Sequence, residues 1–229
     1  MNKSKFHFHK ILFGLLILNC LLTGAEQVAV ATKVSGNVNH SQSKKSALLK
    51  PGIVIENGDK IKTGSNGFVA LIFIDDKSTL KIKSNTELEI IGIREKSSIA
   101  KKVNMDRGTL RAKVTNQAKS DFVVQTPTSV ASVKGTDFWL ISDPLKGDRL
   151  IGLEGIVAFT NIISGMTIDV TSGFMGNSLV DGSLDLNQTN PDIIPSDPEE
   201  DASGSDRSEL RIQFQGPDNT IKTLIIEYQ

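Results

Sequence analysis

The side chains that most often carry nucleophilic or metal-dependent chemistry are scarce in this chain. Its 229 residues include one Cys, Cys20, and three His, of which His40 alone lies beyond the first ten residues. Zinc enzymes, Cys nucleophiles and Ser-His-Asp triads each need several such groups held together, and these residues cannot supply them. The polar neighbours of His40 predict a solvated loop residue without a functional role.

Paired carboxylates and one glycine turn are the remaining candidates for chemistry. Asp75-Asp76 lies in a predicted turn, and Glu87 and Glu89 would face lysines across a predicted hairpin, so structural roles account for both pairs. Lys134-Gly135-Thr136 has the wrong order for a phosphate-binding loop, which places Gly-Lys-Ser/Thr at the start of a helix. The sequence therefore predicts a protein that is not an enzyme, with no catalytic residue, no cofactor and no metal site.

The N-terminal residues 1–25 have the pattern of a signal peptide. A short basic region precedes the apolar residues 11–22, a run shorter than the ~20 residues that span a membrane. Thr23-Gly24-Ala25 supplies small residues for a signal peptidase, which predicts cleavage after this triplet and export to the periplasm. A second interpretation remains open, because Ile17-Leu18-Asn19-Cys20 resembles a lipobox. Cys20 would then be lipidated, and the protein would lie at the outer membrane or cell surface.

The chain after the leader divides into a basic body and an acidic C-terminal part. Residues 26–180 contain 20 Lys and Arg against 15 Asp and Glu, a balance of plus 5, and residues 181–229 contain 3 against 11, a balance of minus 8. The composition predicts a β domain over 26–186, a disordered acidic linker over 187–208 and a β-hairpin over 209–229. The linker is expected to be a spacer or to fold back on the basic body. A two-stranded hairpin is marginal alone, so it should dock on the body or on a partner.

Short strand patterns run through almost the whole body. Apolar and polar residues alternate at 109–114, and Phe122 and Val124 alternate with Val123 and Gln125. The unbroken apolar run at 68–74 is typical of a strand buried on both faces. Gly and Asn turns separate these runs, and no long stretch has a helical period. The predicted fold is all-β, either a β-sandwich or a short β-solenoid or roll.

Matched residue types around Asn85 predict an antiparallel hairpin. In one register, apolar residues would meet on one face and opposite charges on the other. The predicted pairs are Leu80 with Ile90, Ile82 with Leu88, Lys81 with Glu89 and Lys83 with Glu87.

A series of turn and strand motifs follows one order along the body. Its steps are Gly-Asp-x-Ile-x-Thr-Gly at 58–64, Gly-Thr-Leu at 108–110, Thr-Pro at 126–127, Val-Lys-Gly-Thr-Asp-Phe at 133–138 and Glu-Gly-x-Val at 154–157. Across residues 28–174 their joint order resembles the FecR domain, a β-rich periplasmic module. The motif residues, with a structural or partner-binding role, are Gly58, Asp59, Thr63, Gly64, Gly108, Thr126, Pro127, Lys134, Gly135, Thr136, Phe138, Glu154 and Gly155.

The resemblance implies a binding role in the cell envelope. In the named members of the FecR family, the domain is the periplasmic part of an inner-membrane anti-sigma regulator that receives a signal from a TonB-dependent outer-membrane receptor. Here a predicted leader stands where those regulators have a sigma-binding region, so control of a sigma factor by this chain itself is not expected. The expected function is that of an exported, non-catalytic protein-binding or scaffolding module, with a cell-surface signalling accessory as one form of it.

Two alternatives for the function remain open. A structural role as a surface lipoprotein would follow from lipidation of Cys20, and membrane association is expected only in that case. Binding of peptidoglycan or another glycan would use the basic body and Trp139, the one Trp of the chain. Trp139 would then be an exposed aromatic, whereas a second layer or the terminal hairpin would cover it otherwise. Interleaved carboxylates and few aromatic residues argue against nucleic acid as a partner.

Overall fold

The computed structural model describes residues 26–42, 45–95, 98–116, 121–198, 208–215 and 221–228. In these residues the chain forms β-strands and a 3-10 turn at Pro191–Ile193, which confirms the all-β prediction. No helix within the described ranges is long and apolar enough to cross a membrane. The predicted leader, with Cys20, lies outside the described residues.

The strands are short, as the spacing of Gly and Asn turns predicts, and they are numbered in chain order. They are β1 (Gln27–Ser35), β2 (Val38–Gln42), β3 (Lys45–Leu48), β4 (Val54–Glu56), β5 (Asp59–Thr63), β6 (Phe68–Phe73), β7 (Thr79–Ile82), β8 (Glu87–Glu95), β9 (Ser98–Val114), β10 (Phe122–Gln125), β11 (Ser129–Val133), β12 (Thr136–Asp143), β13 (Gly147–Glu154), β14 (Ile156–Asn161), β15 (Thr167–Thr171), β16 (Phe174–Leu179), β17 (Leu184–Gln188), β18 (Ser208–Gln215) and β19 (Ile221–Tyr228).

Two sheets lie face to face and enclose the core. The order across the first sheet is β4, β1, β6, β7, β9, β12, β13, β16 and β17. The order across the second is β3, β2, β5, β8, β9, β10, β11, β14 and β15. After β9 the chain adds hairpins to the second and first sheets in turn. The fold is therefore a sandwich that is open at its edges and wound as a roll of hairpins.

Strand β9 joins the two sheets because it runs through both. Up to Arg107 it pairs with β8 and β10 in the second sheet, and after Gly108 it pairs with β7 and β12 in the first. Gly108 has φ +117, and a Cβ there would lie 2.2 Å from Thr86 Oγ1. The Gly-Thr-Leu motif thus marks the bend from one sheet to the other, where a side chain would be excluded.

The core between the sheets follows the alternation seen in the sequence. The predicted core positions of β9 and β10 point inward, and all of β6 is buried. These positions are Leu110, Ala112, Val114, Phe122 and Val124. Phe73 of the first sheet meets Phe122 of the second edge to face, with ring centroids 5.5 Å apart. Full burial of one such ring contributes about 2–3 kcal/mol, so contacts across the two layers hold the sheets together.

The hairpin predicted around Asn85 is wrong. Strand β7 belongs to the first sheet and β8 to the second, so the chain crosses between the sheets at residues 83–86. The matched apolar residues lie in one core cluster, to which they contribute from different sheets. The charged residues find other partners: Glu87 bonds to Lys62 at 3.1 Å and to Arg107 at 3.6 Å. The same residue pattern fits two strands on opposite sides of the core as well as it fits two strands that are hydrogen-bonded within one sheet.

The predicted C-terminal hairpin is present as β18 and β19, paired from Ser208 with Tyr228 to Gln215 with Ile221. It docks on the body, on the outer face of the first sheet. Its apolar side chains pack against the buried Val30 and Ile72, and they belong to Ile212, Phe214, Leu224 and Ile226. This contact explains why β6 is buried on both faces.

The structure differs from the predicted linker in its first part. Residues 187–188 complete β17, and residues 189–198, which we name the strap, reach across the outer face of the first sheet. Asp197 at the end of the strap is 4% exposed. An ion pair with the sheet, and not apolar burial, fixes this acidic segment. Residues 199–207 of the predicted linker lie outside the described residues.

Candidate functional site: a covered basic face

Outward-facing residues of neighbouring strands form a basic surface on the first sheet. Lys81 of β7 is paired in register with Arg111 of β9, which is paired with Trp139 of β12. Successive side chains point to opposite faces of a strand, so these residues form one row on the outer side. Lys83, directly after β7, adds a second ammonium group. Lys81, Lys83 and Arg111 together are named the basic face.

Trp139 and Asp137 hold the cations in place. The Arg111 guanidinium donates two hydrogen bonds to the Asp137 carboxylate, each 2.9 Å long, and this paired contact fixes its plane. Lys83 Nζ lies 5.7 Å from the centroid of the Trp139 ring, and Arg111 Cζ lies 5.8 Å from it. Both distances suit cation–π attraction. Asp137 contributes one negative charge of the sheet beside the three cations of the basic face.

The strap places a second carboxylate on the basic face. Asp197 Oδ2 accepts hydrogen bonds from Lys81 Nζ and Arg111 Nη1, each at 2.7 Å. Lys83 Nζ donates to the backbone carbonyl oxygen of Ser196 at 2.8 Å. The Asp197 side chain is 1% exposed, whereas the other strap residues are exposed or half-exposed. A buried charged side chain therefore anchors the strap.

Trp139 is buried, contrary to the possibility that it is a surface aromatic. It is 1% exposed, and its neighbour Phe138 is fully buried in the core, although the two side chains point to opposite faces as predicted. Lys83 and Arg111 lie over the Trp139 ring, and the strap lies on these two side chains. The terminal hairpin packs on a different part of the sheet.

His40 contacts the motif residue Asp59 and is not a solvated loop residue. It lies in β2, and its Nε2 is 2.7 Å from Asp59 Oδ2. The same oxygen accepts a hydrogen bond from the Glu56 backbone N–H at 2.7 Å. The side chains of His40 and Asp59 are 12% and 2% exposed. The Asp of the Gly-Asp motif therefore ties β2 to the turn between β4 and β5.

Motif residue Thr63 belongs to a hydrogen-bonded crossing at one end of the sandwich. Its hydroxyl donates to the Lys83 carbonyl oxygen at 2.6 Å and accepts from the Thr86 N–H at 2.9 Å. The Thr86 hydroxyl in turn accepts from the Thr109 N–H at 2.9 Å. These bonds satisfy backbone groups where the chain passes between sheets, so the motif is structural here.

Motif residue Thr126 starts a second buried junction. Its hydroxyl and that of Ser129 both donate to Asp148 Oδ2, and the Thr126 oxygen accepts from the Ser129 N–H at 2.9 Å. Asp148 is 3% exposed, and its other carboxylate oxygen has no hydrogen-bond partner in the described part of the chain. Sequence reasoning misses Asp148, because its partners lie 19 and 22 residues away.

The Lys-Gly-Thr motif forms the turn between β11 and β12, with a strand on each side as the sequence predicts. Lys134 is exposed and lies 3.7 Å from Asp121. Gly155 has φ +76 and packs against this turn, where a Cβ would lie 2.6 Å from the Gly135 carbonyl oxygen. The two motif glycines therefore hold two turns in contact.

The carboxylate pair Asp75 and Asp76 has a structural partner. Its oxygens lie 2.8 Å and 2.7 Å from Lys101 Nζ, whose side chain is fully buried. A buried ammonium needs such pairing, so both carboxylates are required where they are. Over the ranges that the structure describes, no group of His, Cys, Asp or Glu is arranged to hold a metal ion.

Hairpin turns at one end of the sandwich expose a group of apolar residues. These turns connect β12 with β13, β14 with β15, and β16 with β17, and Asn161 joins two of them by donating to the Leu179 carbonyl oxygen at 2.9 Å. Beside them, the pKa of Asp181 is lowered, chiefly by a hydrogen bond from the Ser183 backbone. We name the exposed group the hairpin-tip cluster, and its members are Leu145, Ile162, Ile163, Met166 and Val180.

The fold and its surfaces define a β-sandwich module in which the motif residues Asp59, Thr63 and Thr126 make structural hydrogen bonds. Residues 59–156 match the family model described as FecR protein, which confirms the resemblance carried by the motifs. This part of the chain is therefore similar to the FecR domain. The match covers most of the motifs, from Asp59 to Gly155, and ends where β14 begins. No curated protein matches the chain.

Solved structures that match part of the chain include two crystal structures from Parabacteroides distasonis, each described as "a putative anti-sigma factor". They are 14% and 13% identical to this chain, with TM-scores of 0.48 and 0.46. Each match covers 56% of this chain and 59% of the other, so the chain spans somewhat over half the length of these structures. Similarities of this size do not bear on function.

Proposed function

We propose that the protein is an exported, non-catalytic module that binds a protein partner in the bacterial cell envelope, as an accessory of cell-surface signalling. The FecR match over residues 59–156 carries this proposal. The site geometry supports the non-catalytic part, because Asp59, Thr63 and Thr126 are occupied by structural hydrogen bonds. The lysine-matched carboxylates serve the fold in the same way.

The hairpin-tip cluster gives a protein partner an apolar surface. Its members are between 43% and 84% exposed and come from turns that lie side by side. Contiguous exposed apolar groups of this kind usually mark a contact with another molecule. We therefore place partner binding at this end of the sandwich.

The test is capture of proteins from a solubilised envelope fraction by the immobilised mature chain. Ile163→Ser removes an apolar side chain that is 57% exposed within the cluster, and Ile93→Ser removes one that is 61% exposed at the end of β8. Loss of one anchoring side chain typically costs a partner about tenfold in affinity. We expect that loss for Ile163→Ser alone. No captured envelope protein, or equal loss in the two variants, would contradict the proposal.

The alternative functions have less support. A glycan platform at Trp139 would require the strap to leave, since the ring is covered. A structural lipoprotein would depend on Cys20, which lies outside the described residues.

A further inference from the structure

We propose that the basic face is a binding site for an acidic segment of a partner protein, and that the strap occupies this site in cis. The inference rests on the proposed function, because it gives the protein partner a second contact, apart from the hairpin-tip cluster, and a chemical class for that contact. The inference predicts an extended segment in which an Asp or Glu follows a residue whose backbone carbonyl can accept a hydrogen bond. Asp197 and the Ser196 carbonyl present these two groups in the structure.

The basic face requires an anion when it is covered. Lys81 and Arg111 are only 17% and 14% exposed at their side chains, so both are largely removed from water. Within the sheet, the Asp137 carboxylate accepts two hydrogen bonds from the Arg111 guanidinium. Burying further positive charge without a partner costs several kcal/mol. A carboxylate placed between Lys81 and Arg111 removes that cost.

The strap is built like a bound ligand, and not like a part of the core. Asp197 is its buried residue, and the remaining positions are exposed or half-exposed. Its first residue is held by the Thr189 N–H, which donates to the Gly173 carbonyl at 2.9 Å. The next hydrogen bonds are internal, from the Asp192 N–H to Asn190 Oδ1 at 3.0 Å and from the Ile194 N–H to the Pro191 carbonyl at 3.2 Å. Such a segment can detach without breaking the sandwich.

Proline residues prepare the occupant for binding. Pro195 and Pro198 stand on either side of Ser196-Asp197. Proline fixes φ and disfavours helical backbone before it, so a Pro-Ser-Asp-Pro segment is extended before it binds. The entropy lost on binding is then small, which makes a short acidic segment a sufficient ligand.

Recognition at this site depends on charge, on the direction of the bound chain and on the aromatic ring beneath the cations. The Asp197 carboxylate accepts hydrogen bonds from Lys81 and Arg111, each at 2.7 Å. Lys83 donates to the backbone carbonyl of the preceding residue. The Trp139 ring below keeps both long cationic side chains in position. An amide in place of the carboxylate would lose the charge that these contacts require.

The strap competes with any partner because it is tethered at β17. A short tether gives it an effective concentration on the order of millimolar, so a partner segment must exceed this competition. Weakening the strap should therefore open the site to a ligand in trans. Trp139 is the chain's one Trp, so its fluorescence reports on this site alone.

The experiment titrates the full mature chain with a synthetic peptide of residues 189–198 and follows Trp139 fluorescence. We expect Asp197→Asn to bind the peptide at least about tenfold more tightly than the wild type, because its own strap competes less. Asp192→Asn removes an exposed carboxylate of the same strap and should bind like the wild type. In the Asp197→Asn background, Lys81→Gln should abolish binding.

A second peptide with Asn in place of its final Asp is the ligand control and should not bind. Equal binding of both peptides, or no gain in Asp197→Asn, would overturn the inference. If Asp197→Asn fails to fold, hydrogen exchange of the wild type decides: millimolar peptide should speed exchange at strap amides, and unchanged exchange would overturn the inference. Envelope partner capture that persists alongside a failed titration would leave the proposed function standing.

Discussion

Gly155 lies where two motif turns meet, and its missing side chain is part of that contact. A Cβ there would lie 2.6 Å from the Gly135 carbonyl oxygen, whereas Gly165, with the similar φ of +71, has nothing within 4 Å. We expect Gly165→Ala to lose about 1 kcal/mol of unfolding free energy from backbone strain alone. Gly155→Ala should lose about 1–3 kcal/mol more, because the carbonyl must move. Chemical denaturation measures both, and equal losses would show that the turn adapts freely.

Single residues show what a local pattern determines and what it leaves open. Alternation predicts correctly that Phe138 and Trp139 face opposite sides of β12. It does not predict that Arg111 and Lys83 cover the outer ring, because these side chains arrive from other strands. The polar neighbours of His40 mislead for the same reason, since Asp59 lies 19 residues away.

The C-terminal hairpin is an element whose stability should depend on one face. Ile212 is 9% exposed and packs on the body, whereas Ile225 is 47% exposed in the partner strand. We expect Ile212→Ser to detach the hairpin, because an isolated two-stranded hairpin is marginal and the contact loses an apolar side chain worth about 2–3 kcal/mol.

Limited trypsin digestion tests this expectation through cleavage after Arg211 and Lys222, both within the hairpin strands. Cleavage should be faster in Ile212→Ser and unchanged in Ile225→Ser. Similar rates in the two variants would show that the hairpin does not rely on the body.

The elements also show why strand existence is easier to predict than strand pairing. A period of two residues identifies β7 and β8 and the direction of their side chains. The same apolar match, however, arises when two strands of different sheets contribute to one core, as β7 and β8 do with Leu80 and Leu88. Pairing is decided by the crossing at residues 83–86, whose hydrogen bonds involve Thr63 and Thr109.

The charge division of the whole molecule anticipates the covered basic face in part. A basic body beside an acidic C-terminal part favours a fold-back contact, and Asp197 makes one. The partners themselves cannot be predicted, because Lys81 and Asp197 are 116 residues apart and meet only when the sheet order is known. The site is a product of topology and not of a local motif.

The proposed export processing would decide how the whole molecule is held in the envelope. The first described residue, Glu26, is fixed on the body. Its carboxylate forms an ion pair with Arg94 at 3.0 Å, and its backbone carbonyl accepts a hydrogen bond from the Asn57 N–H at 2.8 Å. Cleavage after Ala25 would free the body. Processing at Cys20 would instead leave residues 20–25 as a tether of at most about 20 Å between a lipid anchor and the sandwich.

We expect the mature chain to begin at Glu26. Thr23-Gly24-Ala25 satisfies the small-residue rule for signal peptidase, and Asn19 departs from the small residue that usually precedes a lipidated Cys. The intact mass of the exported protein tests this, and Cys20→Ser should change neither that mass nor the cell fraction that contains the protein. A lipid adduct on Cys20 in the wild type would contradict the expectation. It would instead favour the surface lipoprotein, with the sandwich held within one tether length of the membrane.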